Sequence, residues 1–339
     1  MTNMWSGQRV APDLGSERSL PNIAMWGAPG SGKTTLLAAL NIALLRQEGD
    51  WSVVGADAQS TSFLTEKTTA LSRDKVFPPA TQGLDNYNWF LVGQHKRRTR
   101  WFRRSRTPRA LKIGINLLDP PGGAFGNQRG GGASQQDLLR NLVHSRGIVF
   151  LFDPIRENED GDAFEYFYGA LAQLAEQVIA GSAVTDGKLP HHLAVCITKF
   201  DDFKVLETAK RLRLLTTDPE DPFGFPRVAN DDAKELFQQL CRVSASGNAD
   251  MVLNAIGRFF REDRIRYFVT SSIGFYVGPK NKLFDMDDYQ NLVPTISRPV
   301  DGESASETRY NTEIRIRGEV RPINVMEPML WLGQRISAP

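Results

Sequence analysis

Hydrophobic and polar positions change period several times along the chain. Asn22 to Trp26 is a short apolar run closed by the glycine-rich Gly27 to Gly32, and Thr34 to Arg46 then carries Leu36, Leu37, Leu40, Leu44 and Leu45 at helical spacing. That order predicts strand, loop and helix. Trp51 to Gly55 predicts a short extended run and Ser60 to Arg73 a helix, broken by Pro78 and Pro79. Tyr87 to Gly93 and Leu111 to Leu118 predict two strands flanking a basic segment. Gly122 to Gly132 is too rich in glycine for regular structure, and Leu138 to His144 suggests a short helix. Gly147 to Phe152 and Leu193 to Thr198 are continuous apolar runs, as strands buried on both faces would be. Ala163 to Ile179 predicts an amphipathic helix between them. Residues 203–247 mix helical stretches with the loop Asp218 to Pro226, Met251 to Phe260 predicts a helix, and Tyr267 to Thr270 the next strand. Strands alternating with helices imply an α/β fold, a mainly parallel sheet with helices on both faces, with one antiparallel hairpin from the two runs around the basic segment. Residues 1–20 read as a loose, flexible leader, and residues 276–322 are polar, with low-order stretches such as Gly302 to Thr308. Asn324 to Ile336 regains an apolar stripe and predicts a helix that docks back.

Composition narrows the class. With 339 residues, 41% of them hydrophobic, the chain can build a sizeable core, so wholesale disorder is excluded. A net charge of +2 is too balanced for a chain coated in nucleic acid along its whole length. Only two cysteines, Cys196 and Cys241, rule out a disulfide framework and suit a reducing setting. No apolar stretch approaches the ~20 residues of a membrane span. Met1 to Leu20 has no apolar core of a secretory signal, so a cytoplasmic location is expected.

The chemistry begins at Gly27-Ala28-Pro29-Gly30-Ser31-Gly32-Lys33-Thr34, which fits G-x-x-x-x-G-K-S/T without a mismatch. Glycines let the backbone turn tightly enough for its N–H groups to point inward at a phosphate. The following helix, entered through Lys33, Thr34 and Thr35, offers its positive end to the anion. Lys33 suits the β- and γ-phosphates as a point charge, and the Thr34 hydroxyl suits Mg²⁺. This loop by itself leaves ATP and GTP, and kinase and hydrolase, all open.

Three later segments bear on the choice. Thr198-Lys199-Phe200-Asp201 ends a buried strand and matches N/T-K-x-D, a guanine-reading loop. A carboxylate at Asp201 accepts from guanine N1–H and the 2-amino group, whereas adenine would leave it unpaired. Leu117-Leu118-Asp119-Pro120-Pro121-Gly122 ends a strand in D-x-x-G, which places Asp119 beside the phosphate loop as a Mg²⁺-side carboxylate and the Gly122 N–H near a γ-phosphate. Asp119 read alone also fits an ordinary turn cap. Ser271 and Ser272, after the last strand, suit contacts to guanine O6.

With these motifs in this order, the chain resembles the Ras-like, translation-factor-related P-loop GTPases. Within that class, M-W-G-A-P-G-S-G-K-T-T-L-L-A-A-L, L-L-D-P-P-G and N-V-M-E-P-M-L-W-L resemble the bacterial double-GTPase proteins of proposed conflict systems. The resemblance implies GTP or GDP with Mg²⁺, a nucleotide-gated switch and a protein effector or activating partner. It divides the chain into a GTPase domain over residues 21–275, with an insertion around 203–247, and a C-terminal extension over 276–339. A switch threonine before the second strand of such a domain would be Thr81, a Mg²⁺ ligand, unless it is an ordinary loop hydroxyl; its rivals Thr68 and Thr69 fall inside the predicted helix. The position after D-x-x-G that often carries a water-orienting glutamine is Gly123. Gln128, Gln135 and Gln136 lie further along the glycine-rich stretch, and Arg129 is either an internal arginine finger or a solvated loop residue. Slow GTP hydrolysis without a partner is therefore expected. A scaffold that binds GTP or GDP without turnover is the alternative, and a P-loop kinase would leave Asp201 without a role. Residues 95–109 hold many cations and no acid around Trp101 and Phe102. That composition suits an anionic membrane surface, nucleic acid or an acidic protein, or simply a solvated hairpin.

Overall fold

A computed structural model describes residues 21–47, 49–78, 87–94, 110–117, 133–180, 187–244, 247–280, 282–297 and 311–337. In chain order the elements are β1 (Asn22–Gly27), α1 (Lys33–Arg46), β2 (Ser52–Gly55), α2 (Ala58–Thr69), β3 (Tyr87–Gln94), β4 (Ala110–Leu117), α3 (Ala133–His144), β5 (Gly147–Phe152), α4 (Pro154–Glu159), α5 (Ala163–Ala180) and β6 (His192–Ile197). There follow α6 (Phe203–Arg211), β7 (Leu215–Thr217), β8 (Pro226–Val228), α7 (Ala233–Arg242), α8 (Ala249–Phe259), β9 (Ile265–Val269), β10 (Leu292–Ser297), β11 (Asn311–Ile316) and α9 (Glu327–Ile336).

Seven strands form one sheet in the order β2-β3-β4-β1-β5-β6-β9. The pairs from β4 through β1, β5 and β6 to β9 are parallel, and β3 joins antiparallel to both β2 and β4. The mostly parallel α/β fold with one antiparallel hairpin is thus the observed architecture. Every residue of β5 is buried, as the uninterrupted apolar run required. Strand alternation splits the core into two layers. Ala24 and Trp26 face α3, α5, α7 and α8, while Ile23 and Met25 face α1, α2 and α9.

Several expectations are corrected. The polar stretch after residue 276 contains a two-stranded antiparallel ribbon, with Leu292 opposite Ile316. Glu313, Ile314 and Arg315 are exposed there, so no strong apolar pattern announced it. The loop Asp218 to Pro226 connects β7 and β8, a second short antiparallel pair. The last helix starts at Glu327 rather than Asn324, because Asn324 adopts φ 55° and Pro328 lies within the first turn, where a missing N–H costs nothing. The helix predicted to start at Leu138 begins at Ala133, which puts Gln135 and Gln136 in a helix rather than in the glycine-rich loop. The helix read as Ser60 to Arg73 is α2 followed by a π turn over Ala70–Asp74.

Four parallel strands, β4, β1, β5 and β6, and then β9 all end at one edge of the sheet. β1 sits where the chain switches sides, with β4 on one flank and β5 on the other. In open parallel sheets that edge and that switch point form the crevice available to a ligand.

Candidate functional site

The loop from Gly27 to Gly32 leaves β1 at this crevice and enters α1. Gly30 and Gly32 adopt φ 75° and 93°, left-handed values that side chains resist, and these two turns fold the loop back over the helix start. Among the described residues no side chain caps α1, and its first turn carries no acid. By contrast Asp57, Asp153 and Asp202 cap α2, α4 and α6 with backbone hydrogen bonds. An uncapped, positively polarised helix end facing a loop of backbone N–H groups suits an anion.

Lys33 is buried, and its ammonium donates to the loop's own carbonyls, Gly27 O at 2.9 Å and Ala28 O at 3.0 Å. Thr34 is buried next to it, and the Ser31 hydroxyl is buried without a hydrogen-bond partner among the described residues. A lysine curled onto its own loop and an orphaned hydroxyl within that loop fit a site that phosphate oxygens would complete.

The second half of the site lies at the ends of β6 and β9. The Thr198 N–H and hydroxyl both donate to Phe152 O, at 2.9 and 3.2 Å, which ties the end of β6 to the end of β5. Lys199 then takes φ 56°, and the turn carries Asp201 back into the interior. Phe200 N–H donates to Thr270 O at 3.1 Å, which brings the β9 loop alongside. There Ser271 donates its hydroxyl to Asp201 Oδ1. The same hydroxyl oxygen accepts from Gly274 N–H at 2.8 Å. Burial raises the Asp201 carboxyl to a pKa of about 6, with the Ser271 hydrogen bond working in the opposite direction.

Two residues of this edge carried no signal in the motifs. Asp153, at the end of β5, holds the N–H groups of Ile155 and Arg156 through Oδ1, and its Oδ2 lies 2.7 Å from Lys199 Nζ. Its place directly after the apolar run Gly147–Phe152 was the available clue. Arg156 reaches to 3.9 Å from where a side chain at Gly30 would begin, while held by Asp162.

The structure therefore brings Thr198, Lys199, Asp201 and Ser271 together, and sets Gly27, Ala28, Pro29, Gly30, Ser31, Gly32, Lys33, Thr34 and Thr35 on the same sheet edge. Ser272 follows Ser271 in the same loop. Thr81, Asp119, Gly122, Gly123, Gln128 and Arg129 lie outside the described residues, as do residues 1–20 and 95–109. The strands flanking that last segment pair as far as Gln94 with Ala110, at the end of the sheet remote from the phosphate-loop edge. Among the described residues no group of three or more His, Cys, Asp or Glu side chains could hold a metal ion. No described helix is long and apolar enough to cross a membrane.

No protein-family model matches the chain, and no curated protein matches it in sequence. Solved structures offer distant likenesses. The signal recognition particle receptor SRb-GTP/SRX complex from Chaetomium thermophilum is 14% identical, with a TM-score of 0.37 over 77% of this chain and 94% of that one. The S. cerevisiae Ski7 GTPase-like domain, bound to GTP, is 16% identical, with a TM-score of 0.35 over 74% of this chain and 42% of that one. The cytosolic domain of the T. maritima FeoB iron transporter in its GMPPNP form is 14% identical, with a TM-score of 0.29 over 75% of this chain and 57% of that one.

Proposed function

We propose that the protein binds guanine nucleotides with Mg²⁺ and hydrolyses GTP slowly to GDP, as a nucleotide-gated switch. The single observation that carries this reading is Asp201. A carboxylate buried at a strand end, on the same sheet edge as a Lys33 phosphate loop and held there by the Ser271 hydroxyl, is placed to accept from a ligand with paired N–H donors. Guanine N1–H and the 2-amino group are such a pair.

Each residue has a derived task. Lys33 would exchange the Gly27 and Ala28 carbonyls for phosphate oxygens, at little cost because its ammonium is already in the loop. Ser271 holds the Asp201 carboxylate in place. Asp153 holds the Lys199 ammonium, so that its aliphatic stem is fixed beside the base position. Mg²⁺, held by Thr34 with Asp119 and Thr81, would supply charge neutralisation at the phosphates. The motif resemblance supports a place in a bacterial conflict system. Two unpaired, buried cysteines, with thiols pushed up by burial, support a cytoplasmic setting. Gly123, with no side chain to orient water, favours the second reading, a GTP- or GDP-binding scaffold without turnover.

Calorimetry with GTP, GDP and ATP tests the assignment. Guanine nucleotides should bind at least ~100-fold more tightly than ATP, the scale set by a site built around specific hydrogen bonds. Asp201→Asn should shift preference toward xanthine nucleotides, since the amide can donate to the xanthine 2-oxo group. Equal affinity for ATP and GTP would remove the basis of the proposal.

A further inference from the structure

A second basic site lies away from the phosphate loop. The C-terminal end of α1, the β8 strand and the segment Glu319–Glu327 line an open groove of about 550 Å³, a volume within the range of small-molecule sites. Arg46, Arg227 and Arg321 come to it from three separate elements, and Phe223 adds an aromatic face. Glu319 and Glu327 are the acids on its walls.

The guanidinium groups are positioned but under-used. Arg46 donates to Val320 O, which fixes it against the wall. Arg321 pairs with Glu319 at 2.8 Å and lies 4.1 Å over the Phe223 ring. Arg227 comes no nearer than 3.6 Å to Asp221, and its buried Nε has no hydrogen-bond partner among the described residues. The Arg227 side chain is 30% exposed and its 3.6 Å ion pair is too long for a hydrogen bond, so its terminal N–H groups can serve an acceptor in the groove. Guanidinium groups brought to one groove by three separate elements suit a tetrahedral phosphate better than a planar carboxylate, which takes donors mainly in one plane.

The geometry points to a binding site for a phosphorylated small molecule in this groove. Its wall is also the segment that braces the base loop. Ile323 exchanges backbone hydrogen bonds with Ser271 at 3.1 and 2.8 Å, Arg321 N–H donates to Ile273 O at 2.9 Å, and the Asn324 amide donates to Val269 O at 3.0 Å. Gly274 accommodates this brace only as glycine, because a Cβ there would sit 1.9 Å from Arg321 O. A ligand that tightens Arg321 therefore tightens the loop that holds Asp201. This coupling rests on the function proposed above, whereas the site itself does not.

The binding test uses full-length Lys33→Ala protein without nucleotide, so that the phosphate loop contributes less to the signal and dependence on Arg227 tells the two sites apart. Titration with inorganic pyrophosphate should show saturable binding, weakened at least ~10-fold by Arg227→Ala, the scale of one charge-assisted hydrogen bond. Sodium acetate at equal ionic strength should not compete. Arg46→Gln, with circular dichroism to verify the fold, replaces Arg227→Ala if that variant does not fold. No saturable binding, or equal affinity with either arginine altered, overturns the site. In wild-type protein, pyrophosphate added to the GDP-loaded form should slow GDP release several-fold. Unchanged release alongside confirmed pyrophosphate binding overturns the coupling and leaves the site. Failure of GDP to bind at all refutes the proposed function and leaves the Lys33→Ala titration as it stands.

Discussion

Lowering the pH from 7 to 5 tests the role of Asp201 without changing a residue. Burial places its carboxyl at about 6, well above the ordinary 3.8. Guanine N1–H and the 2-amino group need the ionised form, so apparent affinity follows the ionised fraction in the free protein. That fraction falls from about 0.9 at pH 7 to about 0.1 at pH 5, which is about a tenfold loss of affinity or ~1.4 kcal/mol. An ordinary aspartate would stay almost fully ionised and give no loss. Binding at pH 5 should also release close to one proton from the carboxyl. The buried His191 and half-buried His192, depressed to about 4 by burial, stay neutral across this window and contribute nothing. The terminal phosphate of GDP titrates at about 6 as well. Calorimetry in two buffers of different ionisation enthalpy, on wild type and Asp201→Asn, separates the contributions, since the phosphate is common to both. A wild-type pH profile identical to that of Asp201→Asn would refute the reasoning. Stability of the nucleotide-free protein should run the other way. Because the folded-state value is raised, the favourable contribution is complete below pH 3.8 and is lost as pH rises through about 6.

Lys33→Ala should abolish or severely weaken triphosphate binding, and unchanged nucleotide affinity in a filter or fluorescence assay would show that the loop is no phosphate cradle. Thr34→Ala should chiefly remove the Mg²⁺-dependent part of the affinity, read by titrating nucleotide with and without the metal. Gly274→Ala should destabilise the fold by about 3 kcal/mol or more, because it combines φ 67° with a backbone clash on Arg321, and an unchanged urea midpoint would contradict the brace. Isolated protein should turn over GTP at roughly 10⁻⁴ to 10⁻² s⁻¹, the range of unassisted Ras-like proteins. Single-turnover rates of several per second would mean that the chain carries a complete catalytic set of its own.

What the sequence determined by itself was local. The phosphate loop could be read because its glycines, lysine and threonine act within one strand–turn–helix, where spacing alone dictates backbone geometry. The buried strands β5 and β6 could be read because both faces of a central parallel strand must be apolar. The pairing around the base loop was not legible in the same way. Asp201 and Ser271 stand 70 residues apart, and which hydroxyl meets which carboxylate depends on β6 and β9 being neighbours in the sheet. The Lys199–Asp153 pair depends likewise on β5 lying beside β6. The ribbon β10–β11, short and exposed at Pro294, Glu313, Ile314 and Arg315, had too little burial to imprint a pattern. The brace from Ile323 to Ser271, and the three arginines around the open groove, come from elements far apart in the chain. Only tertiary packing decides such contacts, because each residue type there is compatible with an ordinary solvated surface until its distant partner arrives.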